Sequence, residues 1–126
     1  MSVVAQDLAS SPQAAQVLSK AVVRAASRMG VSRSRLAGVL GVSAATVTRL
    51  CRGSYVLDPQ RKEWEFALLF VRVFRSLDSL VGNEETARRW LQGDNRGLQA
   101  RPIDLLAHTE GLVRVVHYLD ASRGLV

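Results

Sequence analysis

Between Pro59 and Val81 the chain carries an apolar pattern too broad for the surface of one small domain. Trp64, Ala67, Leu68, Val71, Phe74 and Leu77 fall at three- and four-residue intervals, the period of one helix face. Phe66, Leu69, Phe70 and Val73 widen that stripe well past the roughly 100° that an amphipathic surface helix presents. Such a helix must be covered on more than one side, by a second layer of the same chain or by another chain. The reading here is both: a structural spine and a dimer contact. Asp58 and Pro59 supply a capping residue and a proline at the first helical position, which places the helix start there.

The segments on either side also read as helices. Ala14, Val17, Leu18, Ala21, Val22 and Ala25 predict a helix from Pro12 to about Met29, closed by Gly30, and residues 1–11 are expected to fray. After Gly82 and Asn83, a helix from Glu84 to Gln92 turns Ala87, Trp90 and Leu91 inward. A loop over 93–101 leads to a short helix opened by Pro102. A last helix after Thr109 carries Leu112, Val113, Val115, Val116 and Leu119 to about Ser122. No stretch alternates like a strand. The expected fold is therefore all-α, with units at 1–57, 58–82 (the connecting and dimerisation helix) and 83–126.

Within the first unit, Ser32 to Gly53 predicts two short helices joined by a turn too tight for a generic loop. Ser32 and Ser43 are N-cap residues, and Gly41 stands where the chain must pass through a left-handed conformation. Leu36, Ala37, Leu40, Val42, Val47, Leu50 and Cys51 face inward, leaving Ala44, Ala45, Thr48, Arg49 and Arg52 outside. This is a helix-turn-helix, and small and basic residues on its second helix suit a DNA major groove. Ala44, Ala45, Thr48 and Arg49 are the candidates for base edges. Arg33, Arg35, Ser43 and Arg52 are the candidates for phosphates.

Charge agrees with that reading. The net charge is +6; residues 1–56 hold seven basic side chains against Asp7 alone, and residues 57–126 hold ten of each sign. A basic half steers toward phosphates and gains affinity by counterion release. No apolar run reaches the roughly 18–20 residues of a membrane span, and no secretory signal is visible. With Cys51 as the lone cysteine, a reducing cytoplasm is the expected compartment. His108 and His117 lack partners at metal spacing, so neither metal nor cofactor is expected. Without a nucleophile set, phosphate loop or carboxylate pair, the chain is expected not to be an enzyme.

From Asn83 onward the sequence is similar to the C-terminal domain of the Xre/MbcA/ParS antitoxins. The resemblance is carried by Ala87-Arg88-Arg89-Trp90-Leu91, Asn95, Leu98, Arg101-Pro102-Ile103-Asp104-Leu105-Leu106, Thr109-Glu110-Gly111, Val115-Val116, Leu119 and Arg123-Gly124. Gln99-Ala100 departs from it, since the family often has glycine before the proline. The amino-terminal half resembles the Xre-type helix-turn-helix of the same family. The resemblance implies a small helical toxin-binding domain at 83–126 and membership of a type II toxin–antitoxin system. It also implies a partner toxin, commonly of the NAD-consuming RES type, whose active site the C-terminal region blocks, and repression of the antitoxin's own operon. For toxin contact the last helix and tail are the candidates: Arg114, His117, Tyr118, Asp120, Arg123, Leu125 and Val126, since Tyr and Arg are common interface anchors and the end is extendable. The rival is a stand-alone helix-turn-helix regulator whose C-terminal unit only dimerises or senses a ligand.

Overall fold

Seven helices run through residues 11–124, the part of the chain that the computed structural model describes. They are α1 (Pro12–Met29), α2 (Arg33–Leu40), α3 (Ala44–Arg52), α4 (Lys62–Val81), α5 (Glu84–Gln92), α6 (Pro102–Leu105) and α7 (Thr109–Ser122). Among these residues there is no strand, only an isolated bridge between Asn95 and Ala100. The expected all-α class is what the chain adopts. The stretch over 1–10 and the tail residues Leu125 and Val126 lie outside the described part, and with them the fraying and tail expectations.

Local chemistry starts most of the helices where the sequence places them. Ser11, Ser32, Ser43 and Asn83 accept hydrogen bonds from the backbone amides of Ala14, Arg35, Thr46 and Thr86 at 2.8–3.1 Å. Gly41 ends α2 at φ 70°, so the helix-turn-helix corner uses the left-handed conformation the sequence demands.

The spine is the exception. Asp58-Pro59 does not open α4, which begins three residues later at Lys62, with Arg61 as an N-cap that makes no side-chain bond. Asp58 instead folds a turn, its Oδ1 accepting from the Gln60 amide at 2.9 Å. The organiser is the buried Glu63, whose Oε2 accepts from the Tyr55 hydroxyl at 2.5 Å and the Asp58 amide at 2.9 Å. Ser19, buried on α1, adds a second anchor by accepting from the Leu57 amide at 2.9 Å. Tertiary hydrogen bonds to one carboxylate and one hydroxyl thus override the local proline signal.

Burial and the Glu63 hydrogen bond push the Tyr55 phenol up from 10.0 to about 12. The folded chain therefore keeps a proton that the unfolded chain releases, and the resulting stability is complete below about pH 10 and lost as pH rises toward 12. Melting curves across that window should fall more steeply for the wild type than for Tyr55→Phe.

A single hydrophobic cluster runs from Leu18 and Val22 of α1 through Leu36, Leu40 and Val47 to Leu112, Val115 and Leu119 of α7. α4 lies at its centre, with α1 and α2 against one part of its surface and α5 and α7 against another. The second layer that the apolar pattern requires is thus present in the same chain. Two side chains depart from the sequence pattern: Val17 of α1 is 63% exposed and Leu68 of α4 is 46% exposed. The stripe of α1 is rotated to Ala15, Leu18, Val22, Ala25, Ala26 and Met29. Cys51 is half-buried rather than core.

The loop over 93–101 is held by side chains of its own and of α7. Asn95 Oδ1 accepts from the Leu98 amide at 3.0 Å, Leu98 is buried, and Arg114 Nη2 donates to the Leu98 carbonyl at 2.9 Å. Gln99 sits at φ 57°, a left-handed conformation that costs a side-chain-bearing residue about 1–2 kcal/mol. It falls where the sequence departs from the glycine common before the proline. Gln99→Gly should therefore raise stability, by up to about 1 kcal/mol in denaturant unfolding, despite the added freedom of the unfolded chain.

Candidate nucleic-acid interface

α3 turns Val47 and Leu50 into the core and leaves Ala44, Ala45, Arg49 and Arg52 exposed, with Thr48 half-buried. Ser43 caps the helix, and its Oγ also lies 2.9 Å from Thr46 Oγ1. Thr46 in turn accepts from Arg49 Nη2 at 3.2 Å. This small relay folds the Arg49 guanidinium toward the start of the helix, the end that enters a major groove in a helix-turn-helix. Thr48 donates its hydroxyl to the Ala44 carbonyl at 3.1 Å, so toward a base it is left as an acceptor. Thr46 was absent from the sequence-based site. Its position three residues after the capping serine is the signal that would have found it.

Thr46 and Arg49 also line an open cleft of about 1050 Å³ whose opposite wall, the start of α4, brings Arg61 and Lys62. Arg33 is exposed at the start of α2. Arg35 is not free: its Nη1 donates to Asp104 Oδ1 at 3.1 Å, tying α2 to α6. Arg101 holds the same carboxylate through two bonds of 2.9 and 3.1 Å. Arg101 and then Arg35 keep Asp104 well below the usual carboxylate range. Of the eight sequence-predicted DNA residues, Thr48 is half-buried and the other seven are exposed, Arg35 among them with its surface pair to Asp104.

A second clasp lies at the other end of α1. Arg88 of α5 donates through Nε to the Arg28 carbonyl at 3.1 Å and through Nη2 to the Ser27 carbonyl at 3.0 Å. It caps the last turn of α1 with a cation, which also complements the helix dipole. The stem of Arg88 packs over Gly30, where a Cβ would lie 3.2 Å from its Cγ.

The C-terminal candidates divide sharply. His117 and Arg114 are exposed on α7, one turn apart. Tyr118 is half-buried, with its ring 6.3 Å from that of Trp90, and a Cβ at Gly97 would approach it to 2.5 Å. Asp120 is 4% exposed, and its carboxylate is held by Arg72 and, at 3.4 Å, by Ser76. Arg123 donates to Ser76 Oγ at 3.0 Å. Asp120 is therefore an internal tie between α7 and α4 instead of an outward-facing contact. Its spacing on the buried side of α7, one residue after Leu119, was the available clue.

Comparison with known families settles what these two halves are. A model of the antitoxin Xre-like helix-turn-helix domain matches residues 9–72, half of the chain. A model of the antitoxin Xre/MbcA/ParS C-terminal toxin-binding domain matches residues 76–124. The chain belongs to the Xre antitoxins. Comparison with curated proteins gave no match. The antitoxin thus pairs a DNA-binding helix-turn-helix with a toxin-binding domain, and both matched domains are regulatory in kind. Among the described residues no helix is long and apolar enough to cross a membrane.

Proposed function

We propose that this antitoxin represses its own operon through α3 and inhibits a NAD-consuming toxin of the RES type by covering the toxin's active site with its C-terminal unit. The observation that carries the DNA side is the outward face of α3, with Ala44, Ala45 and Arg49 exposed and Thr48 half-buried, and with Arg49 oriented by the Ser43–Thr46–Arg49 relay. In this reading Arg33, Arg35, Ser43 and Arg52 meet phosphates, residues 1–57 read DNA, 58–82 connect and dimerise, and 83–126 hold the toxin. Arg114, His117, Tyr118 and Arg123 form the proposed toxin face, with Leu125 and Val126 as its continuation. Two half-sites of an operator need two reading heads, which favours a homodimer. Leu68, exposed on the spine, is available to it. The expected setting is the cytoplasm, where the operator is.

The DNA assignment is tested by binding of the full chain to its own upstream duplex and to a scrambled one. Arg49→Ala should lose about 1–3 kcal/mol of operator preference. Arg33→Ala should weaken both duplexes alike and lower the salt slope by about one. Equal, sequence-blind losses in the two variants would refute this division of labour. The inhibitor role is tested by co-expression with the neighbouring open reading frame. Rescue of growth by the wild type, lost in His117→Asp while operator binding persists, is the expected result. A neighbouring product that is harmless by itself would remove the role.

A further inference from the structure

Of the seven basic side chains in the amino-terminal half, four share one groove. Lys20, Arg24, Arg28 and Arg52 line a single groove of about 780 Å³ between α1 and the C-terminal end of α3. Lys20, Arg24 and Arg28 follow at four-residue intervals, so they form a row about 12 Å long on one face of α1. Like charges at that spacing repel one another and destabilise a helix. Among the described residues Arg28 has an acidic partner, Glu84 at 3.7 Å, whereas Lys20, Arg24 and Arg52 have none. At Lys20 and Arg24 the row is therefore a cost to the fold that no ion pair among the described residues offsets, Glu84 being the one acidic residue that lines the groove.

We propose that this groove carries the sugar-phosphate backbone of the same duplex whose bases α3 reads, with Lys20 and Arg24 as phosphate contacts not recognised from the sequence. The inference rests on the DNA-reading assignment above. Arg52 makes the connection: it belongs to the reading helix and also forms the groove's rim, so a duplex seated on α3 has its backbone beside the row. Over about 12 Å one strand of a duplex presents three or four phosphates, at about 3.4 Å of axis each. Long cationic side chains on a helix flank suit contacts that position DNA without reading its sequence.

The test uses the full chain, its upstream duplex and a scrambled duplex of equal length, titrated across a range of salt. Lys20→Gln/Arg24→Gln should weaken both duplexes by the same factor and lower the log–log salt slope by about two. The operator-to-scrambled ratio should be unchanged, and the melting temperature should hold or rise as the repulsion is relieved. The charge-preserving pair Lys20→Arg/Arg24→Lys should bind like the wild type. An unchanged salt slope in the Gln variant, with the wild type still binding, overturns the groove assignment and leaves the reading helix standing. Loss of toxin capture with DNA binding intact overturns it in favour of an acidic protein partner. A wild type that binds neither duplex at any salt overturns the DNA reading itself, and the groove with it.

Discussion

Replacing Phe70 with Ala is expected to lower the unfolding free energy of the whole chain by about 3–5 kcal/mol. Phe70 is the largest fully buried side chain and stands near the middle of α4. It belongs to one cluster that includes residues of both α1 and α7, so the cavity left by its ring would open in a core shared by the two halves. Hydrogen exchange in the variant should therefore accelerate in α1 to α3 and in α5 to α7 together, and thermal unfolding should stay a single transition. A variant in which α1 to α3 keep wild-type protection while α7 loses it would show that the halves fold as separate units. For a chain of this length the shift in melting temperature should be on the order of 10–20 °C.

Gly111→Ala should reverse the usual sign of a glycine-to-alanine change in a helix. Propensity alone would favour the alanine by up to about 1 kcal/mol. In the first turn of α7, however, the added Cβ would run into the Leu105 carbonyl, a backbone atom that cannot swing away. The collision should destabilise by about 1–3 kcal/mol or more, and toxin binding should weaken with it, because the α6–α7 corner must open. Gly38→Ala in α2 is the matched control. Its Cβ would meet the Ala107 methyl at an ordinary 3.6 Å, so there the propensity gain should appear as a small rise in denaturant midpoint. Equal behaviour of the two variants would mean that the corner is slack.

The contrast between these glycines also marks what a sequence can and cannot reveal. Helix order, the capping serines and Gly41 were legible because each depends on residues within one turn of one another. The width of the apolar pattern on α4 was legible for a related reason: periodicity measures how much of a helix must be covered. Missed features depend on distant partners. Glu63 moves the start of α4 past Pro59 by accepting bonds from Tyr55 and Asp58, and Arg35 is paired at the surface with a carboxylate sixty-nine residues away. Asp120 was misplaced because an acidic residue near the end of a helix reads as exposed until Arg72 and Ser76 are known to face it. For the row on α1, the four-residue spacing was visible, but only the groove with α3 gives that spacing a purpose.

The Ser27 and Arg28 carbonyls near the end of α1 accept from Arg88, a residue of the opposite half, and α2 is tied to the same half by the side-chain pair of Arg35 with Asp104. Grafting this reading head onto a foreign partner-binding module would thus strip it of two fasteners, leaving the end of α1 to its local Gly30 cap. Recombination between relatives should succeed where the junction carries Arg88 and Asp104 along with the head, and yield loosened, protease-prone hybrids where it falls between them.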